Sequence, residues 1–144
     1  MRLDAAEARG RFLAHDHGAF CTLHAERGID AVPCIYGSLE EDGEVWVGVP
    51  VDTVKPKSAG LLQRERNLQA DPRATLLVEL WDRDDWSRLW WVRAQLLAEP
   101  GPPRGLADRL ADRLAGTVPQ YRDKPFDRVM VLRVVSVSGW AASG

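Results

Sequence analysis

Short apolar stretches separated by turn residues make up most of the chain, with helix-period patterning in three places. Ala5 to Ala14 sets Ala5, Ala8, Phe12 and Leu13 near one helical face, with Asp4 as N-cap, before His15-Asp16-His17-Gly18 breaks the run. Ala19 to Leu23 reads as a strand, Ala25-Glu26-Arg27-Gly28 as a hairpin turn, and Ile29 to Leu39 as a second strand. Pro33 places that second strand at an edge or a bulge. Glu41-Asp42-Gly43 is a further hairpin turn, and Glu44 to Val49 a third strand. Pro50 to Pro56 is a loop, and Ser58 caps a helix from Ala59 to Ala70. Its stripe of Leu61, Leu62, Glu65, Leu68 and Gln69 is narrow, and Asp71-Pro72 ends it.

Ala74 to Trp81 and Leu89 to Ala98 are strands flanking an acidic turn, Asp82 to Asp85. After the break at Pro100 to Pro103, Leu106, Leu110 and Leu114 recur every four residues on a short amphipathic helix. A loop through Pro119 and Pro125 leads to a last strand, Val129 to Val137. Hairpin-linked strands with few intervening helices exclude a parallel α/β sheet. The expectation is a single domain, mainly β with peripheral helices: a six-stranded antiparallel sheet closed into a small barrel, which removes exposed edges.

Composition narrows the function classes. A chain of 144 residues with 45% hydrophobic and 28% charged residues suits one soluble domain. No apolar run has the length of a membrane span, and Met1-Arg2-Leu3-Asp4 lacks a signal-peptide layout, so a cytoplasmic location is expected. A net charge of -2 argues against a general nucleic-acid binder. In that setting Cys21 and Cys34 read as two buried thiols rather than a disulfide.

Two segments carry candidate chemistry. In Val51-Asp-Thr-Val-Lys-Pro-Lys-Ser58 a strand ends, Lys55 and Lys57 follow, and a helix starts; Arg64 and Arg66 come next. Helix starts attract anions and arginine suits bidentate phosphate contacts, so this reads either as a phosphate or carboxylate site or as solvated basic surface. It lacks the glycines of a Walker A loop. The run Trp81 to Arg93 holds four of the six tryptophans, and the adjacent Trp90 and Trp91 must face opposite sides of a strand. Asp82, Asp84 and Asp85 miss the spacing of a calcium loop and read as a solvated turn. His15, His17 and Cys21 lack a fourth metal ligand, and no nucleophile elbow or Ser/His/Asp grouping is present.

These elements together resemble the pyridoxamine-phosphate-oxidase-like split barrels, in the flavin/deazaflavin oxidoreductase branch. The resemblance rests on Val51 to Ser58, Arg66-Asn-Leu-Gln-Ala-Asp-Pro-Arg73 and Asp85-Trp-Ser-Arg-Leu-Trp-Trp-Val-Arg93, and covers nearly the whole chain. Their order is similar to that of a subgroup labelled as probable coenzyme F-420-dependent enzymes. It implies a split barrel of the FMN-binding type, and a homodimer with FMN or coenzyme F-420 in a groove between subunits. Lys55, Lys57, Ser58 and Arg64 would meet the phosphate-bearing tail, with Asn67 and Arg73 as braces. Val32, Pro33, Cys34 and Val49 would lie along the ring, and a tryptophan among Trp86, Trp90 and Trp91 would close the site. The implied reaction is hydride transfer to a small unsaturated or conjugated substrate, the ring itself supplying the chemistry. A non-catalytic flavin or haem binder is the alternative, with His15, His17 or His24 as axial ligand. Related chains often place a histidine before the strand-two proline; here stand Asp30-Ala31-Val32, so the resemblance names no catalytic acid.

Overall fold

The computed structural model describes residues 1–52 and 60–143. Helix α1 spans Ala5–Ala14, and the Asp4 side chain accepts a 2.8 Å hydrogen bond from Glu7 N, as its N-cap position requires. Strands β1 (His17–His24), β2 (Gly28–Ile35), β3 (Gly37–Glu41) and β4 (Glu44–Asp52) follow. Then come α2 (Gln63–Ala70), β5 (Arg73–Leu80), β6 (Trp90–Ala98), α3 (Leu106–Thr117) and β7 (Phe126–Ala141). Single 3-10 turns at Trp86–Arg88 and Pro119–Tyr121 sit in the connections.

Among the described residues the strands form one antiparallel sheet ordered β2-β1-β5-β6-β7-β4-β3. It has seven strands, not six, because the segment expected to run unbroken from Ile29 to Leu39 divides at Tyr36. Tyr36 is fully buried; its N–H donates to Asp16 O at 2.9 Å and its hydroxyl to Phe12 O at 2.6 Å. With these bonds and a ring stacked on Phe12, it leaves the ladder and turns the corner. The sheet also does not close: β2 and β3 are its two ends, each paired on one side only. Yet a single residue joins them, so the sheet has to curl until its ends approach. The edge position expected for Pro33 is observed.

Turn chemistry holds the registers. The β3–β4 hairpin pairs Glu41 with Glu44 across Asp42 and Gly43, both at positive φ (53° and 79°), the geometry that favours Asp-Gly in two-residue turns. In β5 and β6 the alternation puts Ala74, Leu76, Val78, Val92, Ala94 and Leu96 in the core. Helix α3 buries Leu106, Leu110 and Leu114 against the sheet, where the paired Gly37 and Gly48 let it approach.

Other boundaries move. Helix α2 starts at Gln63 rather than Ala59, because the Glu65 side chain accepts from Leu62 N at 2.9 Å and is itself gripped by Arg128. The expected Ser58 cap lies outside the described residues. Strand β7 runs from Phe126 to Ala141, well beyond both ends expected for it. Its final residues continue along β6, and Ala141 N donates to Met1 O at 2.9 Å.

Candidate functional site

A cleft of about 760 Å³ opens beside the edge strand β2. Val32, Pro33 and Cys34 form one wall, and the start of β1 and the outer residues of β5 another. Pro50 and Asp52 enter from the end of β4, Arg64 from α2, and Tyr121 from the turn after α3. The β4–β7 register shifts between Val51 and Asp52, and there the Asp52 carboxylate accepts a 2.9 Å hydrogen bond from the Tyr121 hydroxyl.

Three polar groups set the electrostatics. Arg64 brings a guanidinium whose Nε is buried and has no hydrogen-bond partner among the described residues. The guanidinium is a positive charge with a planar fork of N–H donors, the geometry that suits phosphate and carboxylate oxygens. Burial, reinforced by the Asp52 carboxylate, pushes the Tyr121 phenol above its ordinary range, so it remains a neutral hydroxyl. Burial pushes the Cys34 thiol up to about 12 against the opposing charge of Arg64, so it is not a thiolate at neutral pH. Among the described residues the cleft therefore offers an apolar wall, the Arg64 guanidinium, the Glu79 carboxylate and a phenol–carboxylate pair. It offers no activated cysteine.

The α2 segment is braced from below. Asn67, only 4% exposed, donates through Nδ2 to Thr22 Oγ1 and Asp30 Oδ2, both at 2.9 Å, and accepts from Gln63 Nε2. Arg73 grips Asp71 at the turn after the helix. The bracing expected of Asn67 and Arg73 is what the structure shows. It fixes the helix that carries Arg64 against β1 and β2.

Of the residues expected at the site, the cleft brings together Val32, Pro33, Cys34 and Arg64. Lys55, Lys57 and Ser58 lie outside the described residues. Val49 is fully buried in the core and does not line the cleft. Trp90 and Trp91 do face opposite sides. Trp90 packs on the core beneath α1, with Arg11 5.2 Å above its ring and His15 edge-on at 5.5 Å, and Trp91 lies under Arg93. Neither lines the cleft within one chain. Trp86 is 67% exposed, its ring 6.1 Å from that of Trp81, which does line the cleft.

Other candidates resolve into structural roles. The Asp82–Asp85 carboxylates accept from Asp84 N, Asp85 N, Ser87 N and Arg88, which makes them turn-formers. His24 Nδ1 accepts from Glu26 N and Arg27 N in the β1–β2 turn. Cys21 and Cys34 are both free thiols, and their register partners Ala31 and Gly18 put them on opposite faces of the β1–β2 ladder. Among the described residues no three His, Cys, Asp or Glu side chains are placed to hold a metal ion. Of the other cleft residues, the sequence offered His17 only as a metal or haem ligand and Asp52 and Trp81 only as members of the basic and tryptophan-rich segments; Glu79 and Tyr121 it did not single out. Trp81 continues the outer-face alternation of Leu77 and Glu79, which is a readable signal; Tyr121 carries none, since only α3 packing brings it to Asp52.

No family model matches the chain, and no curated relative does. Solved structures do share its fold. An FMN-binding protein from Syntrophomonas wolfei subsp. wolfei superposes with a TM-score of 0.61 at 13% identity, over 95% of this chain and 83% of that one. A heme binding protein from Mycobacterium smegmatis gives a TM-score of 0.65 at 19% identity, over 99% of this chain and 60% of that one. A putative pyridoxamine 5'-phosphate oxidase from Corynebacterium glutamicum gives 0.52 at 11% identity, over 96% and 94%. Others of the same fold are a conserved protein of unknown function from Corynebacterium diphtheriae and a conserved hypothetical protein from Mycobacterium tuberculosis. The fold is thus one found in flavin-binding and pyridoxamine-oxidase-like proteins, and at these identities the likeness is one of fold.

Proposed function

We propose that the cleft binds FMN or coenzyme F-420 and that the protein is an oxidoreductase reducing a small unsaturated or conjugated substrate. The observation that carries this reading is the buried Arg64 Nε, without a partner among the described residues, inside an apolar cleft large enough for a ring system. The FMN-binding neighbour of the same fold supports it. When bound, either cofactor supplies hydride transfer itself. Arg64 takes a phosphate or carboxylate oxygen, and Lys55, Lys57 and Ser58, between β4 and α2 in the sequence, extend the polar track along the tail. Val32, Pro33 and Cys34 give the ring a floor from which water is excluded, and the neutral Tyr121 hydroxyl adds polarity without a second charge. The functional unit in this reading is a homodimer whose second barrel completes the groove.

Titrating the purified protein with FMN and with F-420, followed by cofactor fluorescence, tests the reading. Micromolar F-420 affinity with weak FMN affinity selects the deazaflavin, and the reverse selects FMN. Binding of neither sinks the proposal. Arg64→Ala and Lys57→Ala should each weaken binding by about 1.5–3 kcal/mol, the range for a hydrogen bond to a charged group. Size-exclusion chromatography should show a dimer.

A second reading, a non-catalytic haem carrier, gains support from His17 at the cleft wall and from the heme binding neighbour. A Soret band on haem addition that His17→Ala abolishes would favour it.

A further inference from the structure

Arg64 and Glu65 are neighbours on the first turn of α2, yet their side chains have different partners. Arg64 lines the cleft beside β2, whereas Glu65 does not: its side chain meets Arg128 of β7. The Glu65 side chain is only 11% exposed, and both of its oxygens are engaged. Oε1 accepts from Leu62 N at 2.9 Å and from Arg128 Nη2 at 2.5 Å, and Oε2 accepts from Arg128 Nε at 2.8 Å. Such a two-pronged guanidinium–carboxylate contact is the strong form of the interaction. Arg128 is itself fixed in the sheet, since its backbone pairs with Val51 of β4 beside the register shift at Asp52.

A carboxylate set this deep needs a cation. Burial works against the Glu65 charge. The bonds from Arg128 and Leu62 N, with the fields of Arg128 and Arg64, more than offset it, so the carboxyl lies below its ordinary value. Two guanidinium groups therefore act on one acid. Consecutive residues of a helix do not face each other, so Arg64 and Glu65 can pair only if one of them leaves its place. Arg128 keeps the acid where it is. Without Arg128, the desolvated carboxylate would draw on the other guanidinium whose field reaches it, the one in the cleft.

We propose that Arg128, which does not itself line the cleft, is a positioning residue for ligand binding: by saturating Glu65 it spares Arg64 for the anionic group of the ligand. That this anion belongs to FMN or F-420 rests on the proposed function; the sparing of Arg64 does not.

The test uses the full chain with Arg128→Ala, Glu65→Gln and the two combined. FMN and F-420 affinities are read by cofactor fluorescence. The Arg64 Nε–H resonance is followed by nitrogen-15 NMR without cofactor, assigned from Arg64→Lys. Arg128→Ala should weaken the cofactor that the parent protein binds by about tenfold, near the worth of one hydrogen bond to a charged group, and should shift the Arg64 resonance. Glu65→Gln keeps an oxygen for Leu62 N but carries no charge, and should bind as the parent does. Adding Glu65→Gln to Arg128→Ala should restore both the affinity and the resonance, although the two-pronged link to β7 is still gone. A link of purely structural value would leave the combined variant as weak as Arg128→Ala, and that result overturns the proposal. So does an unchanged affinity or an unmoved Arg64 resonance in Arg128→Ala. Should Arg128→Ala not fold, Arg128→Lys, which keeps the charge and loses the two-pronged grip, takes its place with a smaller loss that Glu65→Gln reverses in the same way. If neither cofactor binds the parent protein, the cofactor reading fails, and the resonance alone decides whether Arg128 spares Arg64.

Discussion

Tyr121 and Asp52 stand 69 residues apart in the chain and meet through a 2.9 Å hydrogen bond inside the cleft. The bond ties the turn after α3 to the end of β4, the strand that leads into the basic segment. Tyr121→Phe removes the donor and should cost about 0.5–1.5 kcal/mol of stability, the net worth of such a bond. It should also change the alkaline limb. The folded-state phenol titrates above its ordinary 10.0, so its contribution is complete below pH 10 and is lost as pH rises through the folded value. Urea midpoints between pH 8 and 11 should fall less steeply in Tyr121→Phe than in the parent protein. Identical slopes would remove Tyr121 from that limb.

Cys34 gives a second alkaline signature. Its thiol is raised from 9.0 to about 12, mainly by burial, so the folded chain keeps a proton that the unfolded chain releases from about pH 9 upward. The associated stability is present below pH 9 and lost between about 9 and 12. At pH 8, iodoacetamide should therefore label Cys34 far more slowly in the folded than in the urea-unfolded protein, read by mass spectrometry. Because Cys34 lines the cleft, a bound cofactor should slow labelling further.

Asn67 is the brace on which the position of Arg64 depends. Asn67→Ala strips partners from Thr22, Asp30 and Gln63 at a buried point, and should destabilise by about 1–3 kcal/mol. Hydrogen bonds from Arg27 and then Asn67 hold the Asp30 carboxyl at about 2, so its contribution is present above pH 4 and is lost as pH falls through about 2. In Asn67→Ala the Asp30 carboxyl, followed by carbon-13 NMR, should titrate at higher pH than in the parent protein.

Gly48 has no room for a side chain. A Cβ there would lie 2.7 Å from Val129 Cγ1 and 2.9 Å from Leu110 Cβ, so Gly48→Ala should lift α3 and cost about 1–3 kcal/mol. Gly10, inside α1 with nothing within 4 Å of such an atom, provides the contrast. Gly10→Ala should stabilise by about 0.5–1 kcal/mol. Thermal melts of the two variants should move in opposite directions.

Much of this architecture is legible in the residue order, because local physics governs it. Asp4 caps α1, Asp42-Gly43 turns β3 into β4, and Pro33 marks an edge, each for reasons contained within a few residues. Alternation likewise set the buried faces of β5 and β6, and placed Trp90 and Trp91 on opposite sides. The candidate site was half legible. Val32, Pro33, Cys34 and Arg64 line one cleft, whereas Val49 turned into the core and Trp90 beneath α1.

Tertiary structure decided what depends on distant partners. Tyr36 breaks the expected second strand because Phe12 and Asp16 capture its hydroxyl and its N–H, a competition that no alternation pattern records. Helix α2 begins at Gln63 because Arg128, far along the chain, secures the Glu65 that caps it. Tyr121 reaches Asp52 only because α3 docks where two glycines leave space. Periodicity and turn chemistry are short-range and can be read one segment at a time. Burial, pairing and the composition of a cleft are properties of the assembled sheet, and they appear only once its ends have curled together.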